Sequence, residues 1–593
     1  MTGPETSARP ALPDGSCAPH AQALLDWAAS GDPDGSRLCV VKGGPGSGKS
    51  HLLAWLVAGS GSDAGTTVHA AVPAEGQTAS TLAWEIGRQL GYGPCGPAAL
   101  VERIAADPRP VLILLPDLHK AGRGPRDLPA ARPEAIVAEV VRPLLALAGV
   151  RLVIECGASG PGPELAESGA LVLDLGPAPF RALPAPRTPP RTAGAVTAGA
   201  VTDWRTAPAE LRERALDAAL TDGGRGEQPV LTARELLADP GFLVCGSPVA
   251  ITAALADPRV AAPARLRAVW ARAAPALTTH GLPDAERAAL LHATSLGVDD
   301  RLAAYLRPLA RTHCWSAEWS LPGRPTAVLG LLPKPGDDDA VLVAADPAGR
   351  PELRRTPDGS LIGRVAAGGP PHRWTGLAGI RPDCAVALDV HGSLRPIPLT
   401  GPSSTPAEAD HLCLYHNAIT LESPSDRITA LASDGDRLVL GDAEGRIHLW
   451  NLSRLAAGPA IARTHTVGIT AVGCVGLPDV GASVVVAAGY DGTVRLWDSA
   501  SGEVMPFPVE RRAALATAVA MTGTRTGPVL AVAWSDQRLH LWRLHEGRMT
   551  GFPCPETATA LALTPDGLLV VGSAVATTAL RLDLETLWEE RIG

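Results

Sequence analysis

Over the first 176 residues, short apolar runs alternate with segments in which apolar positions recur every three or four residues. Runs this short, separated by helical periodicity, are typical of a parallel sheet whose two faces are covered by helices. The predicted strands are 37–42, 66–72, 111–115, 151–156 and 170–175. We therefore predict an α/β domain over residues 19–176, preceded by a flexible leader at 1–18 that is rich in Pro, Gly and Ser.

The pattern becomes helical after a segment of low complexity. Residues 177–203 read PAPFRALPAPRTPPRTAGAVTAGAVTD, a composition typical of a linker. The following residues contain mainly helical patterns, such as AELRERALDAAL and DAERAALLHATSL. We predict a helical domain over residues 204–319, in which Trp204, Trp315 and Trp319 are core or interface residues rather than stacking platforms for bases.

In the last part of the chain, the pattern changes to short alternating strands separated by Gly and Asp turns. A similar unit recurs, with Trp450, Trp497 and Trp542 spaced by 47 and 45 residues and a further 41 residues to Asp583. Two weaker copies precede these units. A period of 40–45 residues with four strands per unit is the signature of a β-propeller. We therefore predict a propeller over residues 320–593 and leave its number of blades open between six and seven.

Two sets of residues in the predicted blades receive structural roles. We expect the repeated tryptophans to pack between neighbouring blades rather than to bind a ligand. In three units an aspartate precedes the turn into the tryptophan strand, where a short carboxylate accepts hydrogen bonds from the backbone of the turn. These turn aspartates are Asp442, Asp491 and Asp536.

Composition and charge narrow the function classes. The formal net charge is -9 at pH 7, which argues against a basic face for nucleic acid or for a membrane surface. No apolar segment reaches the length of a membrane span, and the N-terminus lacks the basic and apolar regions of a signal peptide. The ten cysteines are scattered without a C-x-x-C pair, as expected of buried thiols in a reducing cytosol. We therefore expect a cytoplasmic protein without a nucleic-acid or membrane partner.

A glycine-rich loop between the first predicted strand and its helix carries the clearest candidate chemistry. The segment GGPGSGKS fits the phosphate-binding pattern G-x-x-x-x-G-K-[ST] at every defined position. Its glycines let backbone N–H groups surround a phosphate, and the N-terminus of the following helix adds positive potential. The sequence therefore predicts a nucleotide site, with ATP or ADP and Mg²⁺ as the cofactors.

Two side chains of this loop have defined roles in the pattern. Lysine is scarce in this chain, yet Lys49 stands where the loop needs an ammonium for the β- and γ-phosphates. Ser50 stands where the loop needs a hydroxyl for Mg²⁺. The predicted cofactor-binding residues are Gly43, Gly44, Gly46, Ser47, Gly48, Lys49 and Ser50.

Hydrolysis would need a second motif, in which a strand ends in an acid for Mg²⁺ and, usually, in another acid that polarises water. The candidate is the strand 111–115, which continues as Pro116, Asp117. Asp117 is the predicted Mg²⁺ ligand and, with Lys49, the predicted catalytic residue. On the next strand, Glu155 is either a substitute acid or a solvated residue at the strand end.

The chain as far as residue 175 resembles the STAND branch of P-loop NTPases, signalling ATPases that are often joined to WD-repeat propellers. In that family the second motif typically reads D-x-L-D-E-A, and the matching letters here are PDLHKA. The first acid is thus replaced by Pro116, and the acid pair by His119 and Lys120. A lysine can hold a γ-phosphate but cannot act as a carboxylate base. The resemblance therefore implies a sheet in the order 5-1-4-3-2, and the departures imply slow or absent hydrolysis.

Two further segments resemble parts of such proteins. Gly246-Ser247-Pro248 is similar to a G-x-P that lies close to the adenine in the family, and the alternative is that Pro248 simply begins a helix. Segments 445–450, 492–498 and 537–542 resemble WD-repeat blades, although only Trp497-Asp498 has the full dipeptide. Abundant Ala, Arg, Gly and Pro with only four lysines is typical of a GC-rich bacterial genome, such as that of an actinobacterium.

These patterns together predict a multidomain protein with an α/β P-loop NTPase domain, a helical domain and an all-β propeller. We interpret it as an ATP-binding switch with weak or absent hydrolysis, whose propeller binds a protein partner and which can form a nucleotide-dependent oligomer. One alternative is an active ATPase that couples hydrolysis to the remodelling of a partner. Another is a pure interaction scaffold whose nucleotide is structural or lost.

Overall fold

The computed structural model shows two compact units, the first built mainly from residues before 186 and the second from those that follow. The predicted leader, apart from Ala18, and the predicted linker, apart from Asp203, lie outside the described residues. The described residues are 18–30, 35–44, 46–60, 66–75, 77–92, 95–121, 133–157, 165, 169–176, 203–208, 210–212, 215–216, 219, 232–256, 260, 262–279, 281–333, 340–365, 373–399, 406–423, 426–477 and 481–588.

The first unit contains a parallel sheet of five strands. Every pair of neighbouring strands is parallel, and the order across the sheet is β2-β3-β4-β1-β5. The implied order 5-1-4-3-2 is therefore confirmed. The strands are β1 Leu38–Lys42, β2 Ala70–Ala71, β3 Val111–Leu115, β4 Val150–Cys156 and β5 Leu171–Asp174.

Helices cover both faces of this sheet because its central strands are apolar on both sides. In β1, Val40 packs into one core and Val41 into the other, as the alternation of side chains along a strand requires. The core around Val41 includes α1 and α2, and the core around Val40 includes α3 and α4. The helices are α1 Ala18–Ala29, α2 Lys49–Ala58, α3 Ala79–Gln89, α4 Pro97–Ala105, α5 Glu134–Ile136 and α6 Arg142–Leu145, with a π-helical turn at Val137–Val141 between the last two.

The second unit begins with helices that pack around buried aromatic side chains. Trp204 meets Phe242 edge to face, and both belong to a core that continues through Trp315 into the last blades of the propeller. Arg272 is buried, and it donates to the carboxylate of Glu556 at 2.6 Å. The helices are α7 Ala233–Ala238, α8 Pro240–Cys245, α9 Pro248–Ala256, α10 Ala264–Thr279, α11 Asp284–Ser295 and α12 Asp300–Ala310.

The described strands that follow form a propeller of six antiparallel sheets. The first strand of this region, β6, pairs with β28 and so completes the last sheet with the beginning of the propeller sequence. Among the two blade numbers left open by the sequence, six is therefore the one observed. The first blade contains β7 Val328–Leu332, β8 Val341–Ala345, β9 Pro351–Arg355 and β10 Leu361–Arg364, and the second contains β11 Trp374–Arg381, β12 Cys384–Asp389 and β13 Leu394–Pro398. The third contains β14 Ile428–Asp434, β15 Arg437–Asp442, β16 Arg446–Asn451 and β17 Ala460–Arg463, and the fourth contains β18 Ile469–Leu477, β19 Ala482–Gly489, β20 Thr493–Asp498 and β21 Glu510–Arg511. The fifth contains β22 Ala516–Thr524, β23 Gly527–Trp534, β24 Arg538–Arg543 and β25 Arg548–Pro553, and the sixth contains β26 Ala558–Leu563, β27 Leu568–Ser573, β28 Ala576–Leu582 and β6 Trp315–Pro322.

The second blade has three strands, and a helix, α13 Ala407–Glu422, packs against its outer edge. The side chain of Asn417 accepts from the N–H of Leu394 at 2.8 Å and donates to its carbonyl at 2.9 Å, as a fourth strand would. Along β13, the next two residues whose backbone would face away from the sheet are Pro396 and Pro398, and a proline has no N–H to donate. The edge is therefore closed to pairing with another strand.

The repeated tryptophans pack between neighbouring blades, as predicted. Trp450 lies in a core shared by the second and third blades, and Trp497 in one shared by the third and fourth. Trp542 is partly buried against the core between the fourth and fifth blades, and its indole N–H donates to Glu510. Trp315 and Trp319, predicted as core or interface residues, are buried as well. In the described part of the chain, no helix combines the length and the apolar character needed to cross a membrane.

Candidate functional site

The loop that follows β1 turns on glycines before α2 begins. Gly48 has a φ of 96° directly before α2, a left-handed conformation that residues with a Cβ rarely adopt. A Cβ at Gly43 would lie 2.5 Å from the hydroxyl of Ser47, so this position has no room for a larger residue. The N–H of Gly44 donates to a carbonyl just beyond β5, at 3.2 Å. The loop is thus closely wound, and Pro45 lies outside the described residues.

Lys49 begins α2, and its side chain turns back into the loop. Its ammonium donates to the carbonyls of Gly43 and Gly44, each at 2.9 Å, and the residue is 8% exposed. A buried ammonium is costly unless oxygen atoms hold it, and the two carbonyls do so here. The loop therefore combines a cation with the N–H groups at the N-terminus of α2, an arrangement suited to an anion.

Two further features of the loop fit a phosphate group. The hydroxyl of Ser47 has no hydrogen-bond partner among the described residues, and Ser47 is only 4% exposed. Leaving a buried hydroxyl unpaired costs about 1–3 kcal/mol. A Cβ at Gly46 would meet no atom within 4 Å, so the loop is open there. Because phosphate oxygens accept hydrogen bonds, a phosphate would satisfy the Ser47 hydroxyl.

Glu155, near the end of β4, faces the beginning of α2. The hydroxyl of Ser50 donates to its two carboxylate oxygens, at 3.3 and 3.4 Å, and the ammonium of Lys49 is 4.0 Å from the nearer one. Glu155 is 2% exposed. The interpretation of Glu155 as a solvated strand-end residue is therefore wrong, because α2 and the loop cover it.

The alternation of β4 explains why Glu155 faces α2. Successive side chains of a strand point to opposite faces, so Glu155 shares a face with Val153. Val153 packs in the core that contains Leu52 of α2. The register places Glu155 beside Val41, close to where β1 leads into the loop. The signal was therefore present in the sequence, but it required knowing which helix covers that face.

The surroundings of Glu155 raise the pKa of its carboxyl above the ordinary value. Burial is the largest cause, and the neighbouring carboxylate of Asp117 adds to it. The ammonium groups of Lys49 and Lys120 and the hydroxyl of Ser50 act in the opposite direction without cancelling the effect. Glu155 is thus a carboxyl group with too few donors for its charge, a condition that is common at functional sites.

Asp117, the predicted Mg²⁺ ligand, follows β3 in a different environment. Its backbone has a φ of 56° and a ψ of 34°, directly before a 3-10 turn at Leu118–Lys120. The ammonium of Lys120 lies 2.9 Å from its carboxylate and 3.7 Å from that of Glu75. Although partial burial opposes it, these carboxylates raise the pKa of Lys120. The carboxylate of Asp117 is therefore engaged by a cation of its own chain.

Pro248, predicted to contact adenine, is the first residue of α9 in the second unit. The preceding Gly246 ends α8, and its carbonyl accepts from the guanidinium of Arg287 at 3.2 Å. This placement suits the alternative reading of a proline at the start of a helix. Contact with adenine remains a prediction.

The oxygen-bearing side chains near the loop could hold Mg²⁺ only together with another ligand. Within the described ranges, no group of three or more His, Cys, Asp or Glu side chains is placed to hold a metal ion. Mg²⁺ is usually bound by one or two carboxylates together with substrate phosphates and water, rather than by a cage of protein ligands. The hydroxyl of Ser50 and the carboxylate of Glu155 supply oxygen atoms of the required kind.

The second unit carries a groove of about 450 Å³ on the propeller, beside the start of α13. Ile380, Pro382 and Leu452 give it apolar walls, and Arg381 and Glu408 stand at its rim, 4.0 Å apart. Apolar walls with a few charged groups are typical of pockets that recognise ligands or peptide side chains.

No family model matches the chain, and no curated protein matches it. Among solved structures, the chain is similar to the computationally designed protein Ika8, at 18% identity and a TM-score of 0.26. The match covers 43% of this chain and 71% of that one. A TM-score this low supports no argument, so the description of the fold rests on the strand pairing given above.

Proposed function

We propose that this protein is a nucleotide-dependent switch, which binds ATP or ADP with Mg²⁺ in the loop of residues 43–50 and docks a protein partner on its propeller. Hydrolysis is slow or absent in this proposal, because the strand that usually ends in the Mg²⁺ acid continues here as Pro116. When bound, the nucleotide supplies the phosphate charge that the loop holds. Its presence or absence shifts the balance between two conformations of the chain.

The observation that carries the proposal is the state of the loop. Its glycines adopt conformations that other residues avoid, Lys49 is buried inside it, and Ser47 has a buried hydroxyl without a partner among the described residues. The left-handed backbone and the unpaired hydroxyl are disadvantages for stability alone, whereas the loop carbonyls compensate the buried ammonium. An anion with several acceptor oxygens at the N-terminus of α2 would make use of all three features, which supports the proposal.

Lys49→Ala is expected to weaken ATP binding by roughly 10- to 100-fold, since the loop loses the charge-assisted hydrogen bonds of its ammonium. The measurement is calorimetric titration of purified protein with ATP and with ADP. Lys42→Ala is a matched control, because Lys42 lies just before the loop but pairs with the exposed Asp174 at 3.3 Å. Equal weakening by both variants would show that the loop is not the site.

An active ATPase is the second candidate function, and one observation favours it. The buried carboxylate of Glu155 contacts the hydroxyl of Ser50, whereas the acid that usually ends the strand corresponding to β3 in P-loop NTPases is missing here. A carboxylate with a raised pKa is suited to accept a proton from water near neutral pH. Robust Mg²⁺-dependent phosphate release that Lys49→Ala abolishes would replace the switch by this ATPase.

The groove on the propeller is the surface that we propose for the protein partner. Its apolar walls suit small apolar or proline side chains, and its rim carries both a cation and an anion.

The mass of the purified protein in ATP and in ADP tests whether the nucleotide also changes its oligomeric state. Unchanged mass together with no nucleotide binding would leave only the scaffold function.

A further inference from the structure

The buried carboxylate of Glu155 has less donor contact than its burial requires. Its hydrogen bonds from Ser50 are 3.3 and 3.4 Å long, and the ammonium of Lys49 remains 4.0 Å away. Charge-assisted hydrogen bonds are normally about 2.7–2.9 Å. Lys49 uses its own short contacts on the loop carbonyls instead. Glu155 can therefore still accept a cation.

The other acid near the loop is already paired. The carboxylate of Asp117 lies 2.9 Å from the ammonium of Lys120, whereas that of Glu155 lies against the hydroxyl of Ser50. Ser50 is the loop residue whose hydroxyl faces Mg²⁺ in proteins with this motif. Of the two acids, Glu155 is thus the one that shares a contact with the predicted metal-binding hydroxyl.

We propose that Glu155 on β4, together with Ser50, supplies the protein oxygen atoms that face the Mg²⁺ of a bound nucleotide, a role assigned to Asp117 on the basis of sequence. This inference rests on the proposed nucleotide binding. It is consistent with the preference of Mg²⁺ for one or two carboxylates combined with phosphate and water. It also explains why a carboxylate is retained at a buried position where an apolar residue would be more stable.

The experiment compares the affinity for ATP with Mg²⁺ and with EDTA in the full chain. We expect Mg²⁺ to tighten ATP binding by about tenfold or more in the wild type, and Glu155→Gln to remove most of that gain. Asp117→Asn should keep the gain. A second readout is the electron paramagnetic resonance of Mn²⁺ added with ATP, which should show less bound Mn²⁺ in Glu155→Gln only.

The results that would contradict the inference can be told apart from those that would contradict the proposed function. If Asp117→Asn removes the Mg²⁺ gain and Glu155→Gln keeps it, Asp117 is the ligand and the inference is wrong. If both variants keep the Mg²⁺ gain, neither carboxylate faces the ion, and the inference is again wrong. If the wild type binds no nucleotide, the proposed function fails and the inference fails with it. The thermal unfolding of Glu155→Gln, which is close in shape to the wild type, shows whether that variant is folded.

Discussion

Each of the two compact units buries a carboxylate, and the surroundings of the two are opposite. In the propeller, Asp442 is 0% exposed and accepts from the backbone N–H groups of Glu444 and Arg446, the guanidinium of Arg446 and the ring of His448. All four contacts are between 2.7 and 3.0 Å. Although burial alone would raise it, the donors from His448 and Arg446 hold the pKa of Asp442 below its usual value.

In the α/β unit, Glu155 is almost as deeply buried, but among the described residues its donors are only the hydroxyl of Ser50 and a more distant ammonium. The pKa of Glu155 is raised, mainly by burial. A buried carboxylate that is fully supplied with donors holds its own blade together. One that is left short of donors has capacity for a ligand, which is the basis of the role proposed for Glu155.

The largest effect is expected for Asp442→Asn, at about 3 kcal/mol of lost unfolding free energy. The amide would turn N–H groups towards the donors that surround this fully buried position, although Arg446 would keep Asp426 as its other partner. Chemical unfolding followed by tryptophan fluorescence measures the loss, since Trp450 lies in the same blade.

Asp536→Asn is the matched control for this change. Asp536 was predicted for the same role in another blade, but its side chain is 42% exposed and pairs with Arg512 at 2.6 Å. Exposed pairs contribute about 0–1 kcal/mol, so this variant should stay close to the wild type. A loss at Asp442 as small as that at Asp536 would contradict the structural role of the buried acid.

Lowering the pH should destabilise the propeller because of His416. This histidine is buried beside His448, whose ring contacts Asp442. Burial, reinforced by the charge of His448, lowers the pKa of His416 from 6.5 to about 3. A histidine whose pKa is lowered by folding stabilises the fold at pH values above its pKa in the unfolded chain. That stabilisation is lost as the pH falls below 6.5. Between pH 6.5 and about 4.5 the loss from this group is roughly 2 kcal/mol.

The pH dependence of unfolding in His416→Gln checks this expectation. Glutamine can still accept from the indole N–H of Trp450, which donates to His416 at 2.8 Å, but it does not titrate in this range. The stability of the variant should therefore fall less steeply than that of the wild type between these two pH values. Parallel curves would mean that His416 is protonated within the fold.

The sequence predicted the fold best where burial is uniform. Strand β3 coincides with the predicted 111–115, because a central parallel strand is apolar at every position. Strand β2 comprises only Ala70–Ala71 of the predicted 66–72, since it lies at the sheet edge and the ring of His69 accepts the N–H of Leu112. Apolar runs do not reveal where edge pairing stops.

The blade number was left open because the two copies before residue 400 are weak, although all six blades share a short motif. The triplet T-[AG]-[LV] accompanies the inner strand of each blade, beginning at residues 326, 375, 429, 470, 517 and 559. In the last five copies, the threonine hydroxyl donates to a carbonyl of the neighbouring strand at a bulge, as in Thr429 to Gly441 at 3.2 Å. The same letters also occur at Thr578 in β28, so counting them gives one blade too many.

The two parts of the candidate site differ in how far apart their residues lie along the sequence. The loop is a contiguous motif, and its geometry is local to residues 43–50. The role of Glu155 depends on β4 lying beside β1 and on α2 covering the face that Val153 shares. Such a long-range arrangement follows from the order of strands, which the alternation of β4 alone does not reveal.

The smallest effect is a gain in stability from Glu155→Gln in the α/β unit. A carboxyl with a raised pKa contributes stability that is present below its unfolded value, near 4.5, and is lost as the pH rises. The neutral amide avoids this loss, so the variant should exceed the wild type at neutral pH, by a margin that grows with pH. The charged groups that face Glu155 are Asp117, Lys49 and Lys120. Hydrogen exchange of peptides that cover β4 measures the effect.

Glu75→Gln separates this effect from the mere loss of a negative charge. Glu75 is exposed and lies 3.7 Å from the ammonium of Lys120, so its removal should change exchange in β4 little at any pH. The two units would then respond in opposite directions. The propeller loses stability through His416 as the pH falls below 6.5, and the α/β unit loses stability through Glu155 as the pH rises above about 4.5. If Glu155→Gln instead lowers stability at neutral pH, Glu155 is a structural acid like Asp442, and its short supply of donors cannot be explained by a missing ligand.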